Sequence, residues 1–344
     1  MDAHDKLKEA VLWERADDGK VHCRLCNFRC VIGDGQLGHC RVRQNVGGTL
    51  YSLNYDKVCA ANPDPIEKKP LFHFQPGTQS FSIATMGCNF QCVFCQNWQI
   101  SQVTLEDGQI DGQALTPEQI VAAAVRSDCK SIAYTYTEPT IFMELCHDCG
   151  LLAKEQGLAN VFVSNGYMSR EAIDFATPWL DAINIDLKAF TDSYYLELCK
   201  ARLQPVCDTI THIAKHTDIW LEVTTLLVPG ENDSEDELRQ LADFLVCEVG
   251  PDVPWHISRF HPQYKCLESP ATPLKSLQRA ERIGKEAGLR YVYLGNVPGA
   301  TSESTFCYQC GRLLIDRTGY RINANHVKDS KCPDCGAAIA GVEL

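Results

Sequence analysis

Apolar residues along positions 80–295 follow two alternating rhythms. Short apolar runs read as strands: FSIATMG (81–87), SIAYTY (131–136), NVFVS (160–164), AINIDL (182–187), IWLEVTTLLV (219–228), WHISRF (255–260) and YVYLG (291–295). Helical signals fill the gaps. Thr116-Pro117-Glu118-Gln119 offers an N-cap, a proline at the first helical position and a glutamine at the capping-box position, with Ile120, Val121, Ala124 and Val125 following on one face. A helix runs through about Gln156, another begins at Ser169, and helical stretches occupy 191–216. Ser234 to Glu237 predicts a second capping box, opening a helix to about Val249, and a further helix follows Thr272-Pro273. Repeated β-α units imply a parallel sheet with right-handed crossovers. About six units plus a final strand fall short of a closed eight-stranded barrel. The expected fold is therefore α/β, an open, partial TIM barrel of the (β/α)6 type, with a flat doubly wound sheet as the alternative. In both, chemistry belongs at the carboxyl ends of the strands.

Composition narrows the class. The chain has 344 residues, 45% hydrophobic and 22% charged, as in an ordinary soluble protein rather than a disordered chain, coiled coil or collagen. No apolar run approaches the length of a membrane span, and MDAHDKLKEAVLWERADDGK lacks the apolar core of a secretory signal. The expected compartment is the cytoplasm. A net charge of −12 would repel a phosphate backbone, which disfavours nucleic acid as a partner. No G-x-G-x-x-G follows a strand, and no phosphate-binding P-loop is present.

Cysteine changes the picture. There are 19, and in a reducing compartment clustered cysteines read as metal ligands or catalysts. Cys23, Cys26, Cys30 and Cys40 form an N-terminal cluster, Cys88, Cys92 and Cys95 a central one, and Cys307, Cys310, Cys332 and Cys335 a C-terminal one. The other eight (Cys59, Cys129, Cys146, Cys149, Cys199, Cys207, Cys247 and Cys266) read as core packing. Three segments follow: a Cys-rich metal-binding segment over 1–75, the barrel over 76–300, and a zinc-ribbon or rubredoxin-like module over 301–344. The last has paired CxxC motifs, a strong tetrahedral signal; zinc is favoured and mononuclear iron is the alternative. The N-terminal four suit a structural zinc or an auxiliary iron–sulfur cluster, with a slight preference for zinc because no motif marks an electron relay.

The central loop has only three thiols. Three cysteines can ligate three irons of a [4Fe–4S] cluster and leave the fourth open, whereas a structural zinc closes with four ligands. CNFQCVFC matches the CxxxCxxC signature that resembles that of radical S-adenosylmethionine (SAM) enzymes. The likeness continues through Tyr136-Thr137-Glu138-Pro139, Ser164-Asn165-Gly166, Asp186-Leu187-Lys188, Val228 to Asp233 and Arg259 to Pro262, each at a strand end. That order resembles glycyl-radical-enzyme activating enzymes, of which the pyruvate formate-lyase activator is one. The chain more closely resembles the radical SAM enzyme of the AmmeMemoRadiSam system. This rests on the N-terminal CxLCxxxC…GxxGxCxVRxN stretch, Pro70-Leu71-Phe72-His73-Phe74, Cys95-Gln96-Asn97 with Ile100-Ser101, and the C-terminal double CxxCG.

The resemblance implies a [4Fe–4S] cluster on Cys88, Cys92 and Cys95 that cleaves SAM reductively to a 5′-deoxyadenosyl radical, which abstracts hydrogen from a substrate. It implies Phe94 beside the adenine, Thr137 and Glu138 near the SAM amino group, and Ser164 and Asn165 as further SAM contacts. Asp186 and Lys188 would bind ribose and carboxylate, and His261 would sit over SAM. The plainer readings are a helix-start acid for Glu138, a buried ion pair for Asp186–Lys188, and structural roles for His261 and His73. Implied partners are a one-electron donor such as flavodoxin or ferredoxin, and AMMECR and Memo domain proteins. A non-catalytic zinc-binding adaptor is the reading from another class.

Overall fold

The structure is a computed structural model and describes residues 7–102, 110–297 and 301–344. The charged N-terminus read above begins at residues 1–6, which lie outside the described residues, and the expected 300/301 boundary adjoins the undescribed stretch 298–300. Seven described strands run parallel: β1 (Gln79–Thr85), β2 (Ser131–Tyr134), β3 (Ala159–Ser164), β4 (Ala182–Asp186), β5 (Trp220–Leu227), β6 (Trp255–Arg259) and β7 (Val292–Gly295). Their order across the sheet is their order along the chain. A doubly wound sheet reverses direction at a switch point; a one-way progression is the wall of a barrel. Among the described residues β7 pairs with β6 alone, and an antiparallel strand, Lys57–Pro65, lies outside β1, so the wall stays open.

Among the described residues the longer crossover helices are α1 (Pro117–Arg126), α2 (Met143–Glu155), α3 (Arg170–Ala176), α4 (Gln204–His216), α5 (Glu235–Phe244) and α6 (Leu274–Ala287). Thr116 and Gln119 make the reciprocal capping box at the start of α1. Ile120, Val121 and Ala124 are buried, but Val125 faces outward, because it lies about a quarter turn from the centre of that stripe. The second expected box is half made. Ser234 caps α5 by accepting from Glu237 N, while the Glu237 carboxylate accepts instead from Phe190 N in the loop after β4.

Alternation along the strands sorts the two faces of the wall. Phe81, Ile83, Ile132, Tyr134, Phe162, Ile183 and Ile185 join the main core beneath the helices. Ala133, Val161 and Ala182 face inward with Ile66, Leu71 and Phe74. Small inward residues leave room for residues 66–74 to fill the amino end of the barrel as a floor. Asn184 Nδ2 donates to Pro70 O at 2.7 Å, and the buried Glu222 carboxylate accepts from Phe72 N (3.0 Å) and His73 N (2.7 Å) and bonds His256 Nε2 at 2.6 Å. His73 is structural, as expected. Its Nδ1 lies 2.7 Å from Ala340 O, which can only accept, so Nδ1 donates there and Nε2 accepts from Tyr293 O–H at 2.6 Å. Burial pushes the His73 pKa down to about 4.

The two Cys-rich modules occupy opposite ends. Residues 301–344 build a small antiparallel sheet beneath the floor. Arg317, buried within it, donates to Phe72 O and Thr305 Oγ1 (2.7 Å each) and stacks over the Phe72 ring. Backbone bonds Gln75 N to Val342 O (2.9 Å) and Val342 N to His73 O (2.8 Å) complete the join. The N-terminal module sits at the mouth, where the strands end. Asn27 N donates to Tyr167 O, Ser169 N donates to Leu25 O, and a buried Arg43–Glu144 pair at 2.5 Å ties the module to α2.

Candidate active site

The central cysteine loop leaves β1 through Gly87, whose φ is +107°. A Cβ there would lie 2.7 Å from Val42 Cγ1 and 3.0 Å from Ile141 Cδ1, so only glycine lets the chain pass under the N-terminal module. The loop is pinned by backbone bonds from Gln91 N to Cys199 O (3.0 Å), Val93 N to Leu198 O (3.0 Å) and Lys265 N to Val93 O (2.9 Å). Phe90 is buried edge-on against Tyr167 and Tyr195. Phe90 N donates to Cys88 Sγ at 3.3 Å, and Ser101 Oγ lies 3.1 Å from Cys95 Sγ. Burial pushes the Cys88 and Cys95 thiols up, with the Glu138 charge adding to the rise at Cys88. Cys92 goes the other way, held down by a hydrogen bond from Cys199 with Lys188 nearby.

Strand ends after β2 and β3 converge beside this loop. Glu138 is almost fully buried. Its Oε1 accepts from Thr140 N (3.0 Å), Thr140 Oγ1 (2.5 Å) and Ser164 Oγ (2.8 Å), and its Oε2 accepts from Asn165 N (2.8 Å). Burial raises its pKa, and these donors only partly offset that. Asn165 Nδ2 donates to Asn89 Oδ1 at 2.7 Å and lies 3.9 Å from Cys88 Sγ. Glu138, Ser164, Asn165 and the first cysteine thus form one linked group. Gly166, at φ +70°, makes the turn possible.

The remaining expected residues fall around it. Thr137 is buried and donates to Thr85 O at 2.8 Å. Lys188 Nζ bonds Asp186 Oδ2 at 3.0 Å after β4. Burial alone would lower the Lys188 pKa, but Asp186 and the Cys92 thiol outweigh it and hold the ammonium well above its usual range. Phe94 is buried against Tyr194, and His261 is exposed at the end of β6. Sequence reasoning missed Asn89, Ser101 and Cys199. Asn89 and Ser101 adjoin the motif, but Cys199 had no spacing signal. A cleft opens beside Cys88, bounded by Cys40, Ser101, Tyr264 and Lys265. Glu138, Ser164, Asp186, Lys188 and His261 do not line it.

Sulfur spacing separates the cysteine groups. Cys307 and Cys335 lie 3.6 Å apart, as do Cys310 and Cys332. A tetrahedral ion with Zn–S of about 2.3 Å needs sulfurs about 3.8 Å apart. Among the described residues this is the only group of three or more His, Cys, Asp or Glu ligand atoms within 4.8 Å of one another. Cys88, Cys92 and Cys95 do not meet that limit, so their loop fits a polynuclear cluster better than one ion. The buried Asn89 Nδ2 beside Cys88 has no protein partner.

Comparison with known proteins agrees with this geometry. The chain is 46% identical over 337 residues to an uncharacterized protein of Methanocaldococcus jannaschii, covering 97% of this chain and 99% of that one. It is 26% identical over 223 residues, 64% of this chain and 80% of the other, to a protein of the same organism provisionally named a glycyl-radical enzyme activating enzyme. A radical SAM methyltransferase from Sphaerobacter thermophilus shares the fold, with a TM-score of 0.51 at 18% identity over 64% of this chain and 67% of that chain. The family model of the radical SAM superfamily matches residues 82–245, spanning the cysteine loop, Glu138, Asn165 and Lys188. The chain therefore belongs to the radical SAM superfamily, whose members use a [4Fe–4S] cluster and SAM.

Proposed function

We propose that this protein generates a substrate radical from SAM. The observation that carries the reading is the Cys88–Cys92–Cys95 loop at the barrel mouth, whose three thiols do not gather within 4.8 Å of one another as a single-ion site would. When bound, a [4Fe–4S] cluster with one open iron supplies the electron that cleaves SAM to a 5′-deoxyadenosyl radical able to abstract hydrogen. Cys88, Cys92 and Cys95 would hold it. Glu138 fixes the Asn165 turn and, as a buried carboxylate, offers a charge-assisted bond to the SAM ammonium. Lys188, kept cationic by Asp186, balances thiolate charge and can meet the SAM carboxylate. Thr137, Ser164 and Phe94, buried beside the cysteine loop, and His261, exposed at the end of β6, would be further SAM-binding residues.

The finer assignment is the AmmeMemoRadiSam system enzyme, with AMMECR and Memo domain proteins as partners, a flavodoxin or ferredoxin as electron donor, and the cytoplasm as its site. Its support is that the resembling residues outside the barrel have defined structural work: Pro70–Phe74 form the floor and the double CxxC brings four thiols together. No helix among the described residues is long and apolar enough to cross a membrane. Activation of a glycyl-radical enzyme is the second reading, favoured by the 26% identical relative. A zinc-only adaptor fits poorly with a central loop that offers three thiols, not gathered as a single-ion site.

The test is anaerobic reconstitution, reduction with dithionite, addition of SAM and assay of 5′-deoxyadenosine. Product from the wild type and none from Cys92→Ala supports the reading. Equal, background-level product from both overturns it.

A further inference from the structure

The N-terminal quartet faces one small pocket, lined by Cys23, Cys26, Cys30 and Cys40 and otherwise mainly by Leu25, Ile32 and Ile141. No three of these sulfurs come within 4.8 Å of one another, whereas the C-terminal quartet has closed to 3.6 Å. Two four-cysteine sites in one chain thus have different spacing. The C-terminal one suits a single tetrahedral ion; neither the N-terminal quartet nor the central trio gathers three sulfurs within that limit. Its surroundings suit sulfur-bound iron as well. His39 N donates to Cys30 Sγ at 3.5 Å, and hydrogen bonds to sulfur are a main control of cluster potential. The Arg43 guanidinium is buried in the same wall and offsets thiolate charge. His39 Nε2 is buried without a protein partner at this pocket, its ring stacked on Phe28 at 4.0 Å.

The pocket also adjoins the central loop. His39 and Cys40 line both it and the cleft beside Cys88. A Cβ on Gly87, one residue before Cys88, would lie 3.5 Å from Cys40 O. We propose that Cys23, Cys26, Cys30 and Cys40 hold a polynuclear iron–sulfur cluster, not zinc, that passes single electrons to the adjacent Cys88–Cys92–Cys95 site. Four protein thiolates leave no iron open to substrate, so electron transfer is the chemistry available to it. A low-potential one-electron carrier of the ferredoxin or flavodoxin class reduces this cluster, which is reoxidised as the central site gains the same electron. The transfer step rests on the reading that the central loop holds a cluster; the metal assignment does not.

The experiment compares anaerobically purified full-length wild type, Cys26→Ala/Cys30→Ala and Cys92→Ala/Cys95→Ala by iron, sulfide and zinc content and by electron paramagnetic resonance of the reduced proteins. The N-terminal variant should lose about two to four irons per chain, keep its zinc, and keep a signal that changes on adding SAM. The central variant should keep a cluster signal that ignores SAM. Loss of zinc without loss of iron in the N-terminal variant overturns the proposal. No iron loss in the central variant instead overturns the proposed function. Should the N-terminal variant fail to fold, anomalous scattering at the iron and zinc edges from wild-type crystals decides: iron at the quartet supports the assignment, zinc there refutes it.

Discussion

Glu138→Gln separates a SAM-binding role from a helix-capping one. The carboxylate accepts four hydrogen bonds, three on Oε1 and one on Oε2. The best glutamine orientation keeps its oxygen toward Thr140 and Ser164, which turns the amide NH2 against Asn165 N–H. The lost bond is to a charged group, about 2 kcal/mol, and the turn that carries Asn165 to Asn89 and Cys88 must shift. Global stability changes little, because removing a buried charge relieves a desolvation penalty of similar size. Losing a charge-assisted bond to the SAM ammonium, also about 2 kcal/mol, should lower SAM affinity about 30-fold at about 1.4 kcal/mol per tenfold, while the melting temperature holds. Anaerobic calorimetric titration of cluster-loaded protein, paired with thermal unfolding, reads both quantities. A variant that melts earlier yet binds SAM within about threefold of wild type would make Glu138 only the cap of the short helix Pro139–Phe142.

Three further outcomes are expected. Cys199→Ala removes the thiol neighbour that lowers the Cys92 pKa and should lower the central cluster's midpoint potential by about 40 mV, the equivalent of about 1 kcal/mol for one hydrogen bond to sulfur; an unchanged redox titration counts against that contact. Gly166→Ala puts a Cβ 2.7 Å from Ile185 Cγ2 at φ +70°, so urea unfolding should show a loss of about 2–4 kcal/mol, and a loss below about 1 kcal/mol contradicts the packing. His73 titrates at about 4 when folded against 6.5 when free, so the unfolded chain binds more protons between those values. Its contribution is complete above about pH 6.5 and fades toward pH 4, roughly 3 kcal/mol in all; a stability profile that His73→Phe leaves unchanged across that window sinks the reading.

Much of this architecture was legible because local and tertiary signals coincide. Strand runs such as AINIDL are buried on both faces, so burial and periodicity name the same residues. Glu138, Ser164 and Asn165 each lie at or just past the end of a strand, and parallel neighbours bring such ends together. Other features had no local signal. Glu237 looks like a capping-box acid, yet a backbone amide 47 residues away uses it. Cys199 resembles any core cysteine until folding sets it beside Cys92. The two four-cysteine groups differ in how far their sulfurs stand apart, a property of the folded loops that CxxC counting does not encode.

The floor also bears on how the chain is made. His73 and Ala340, 267 positions apart, share a hydrogen bond, and Phe74 lies against Val342. On the ribosome, the seven wall strands can add one after another as each emerges. Phe72 and Phe74 emerge early, but the C-terminal residues that pack against them, from Leu314 to Val342, come last. A stalled or shortened nascent chain would therefore display those side chains to chaperones and proteases, a built-in mark of unfinished synthesis.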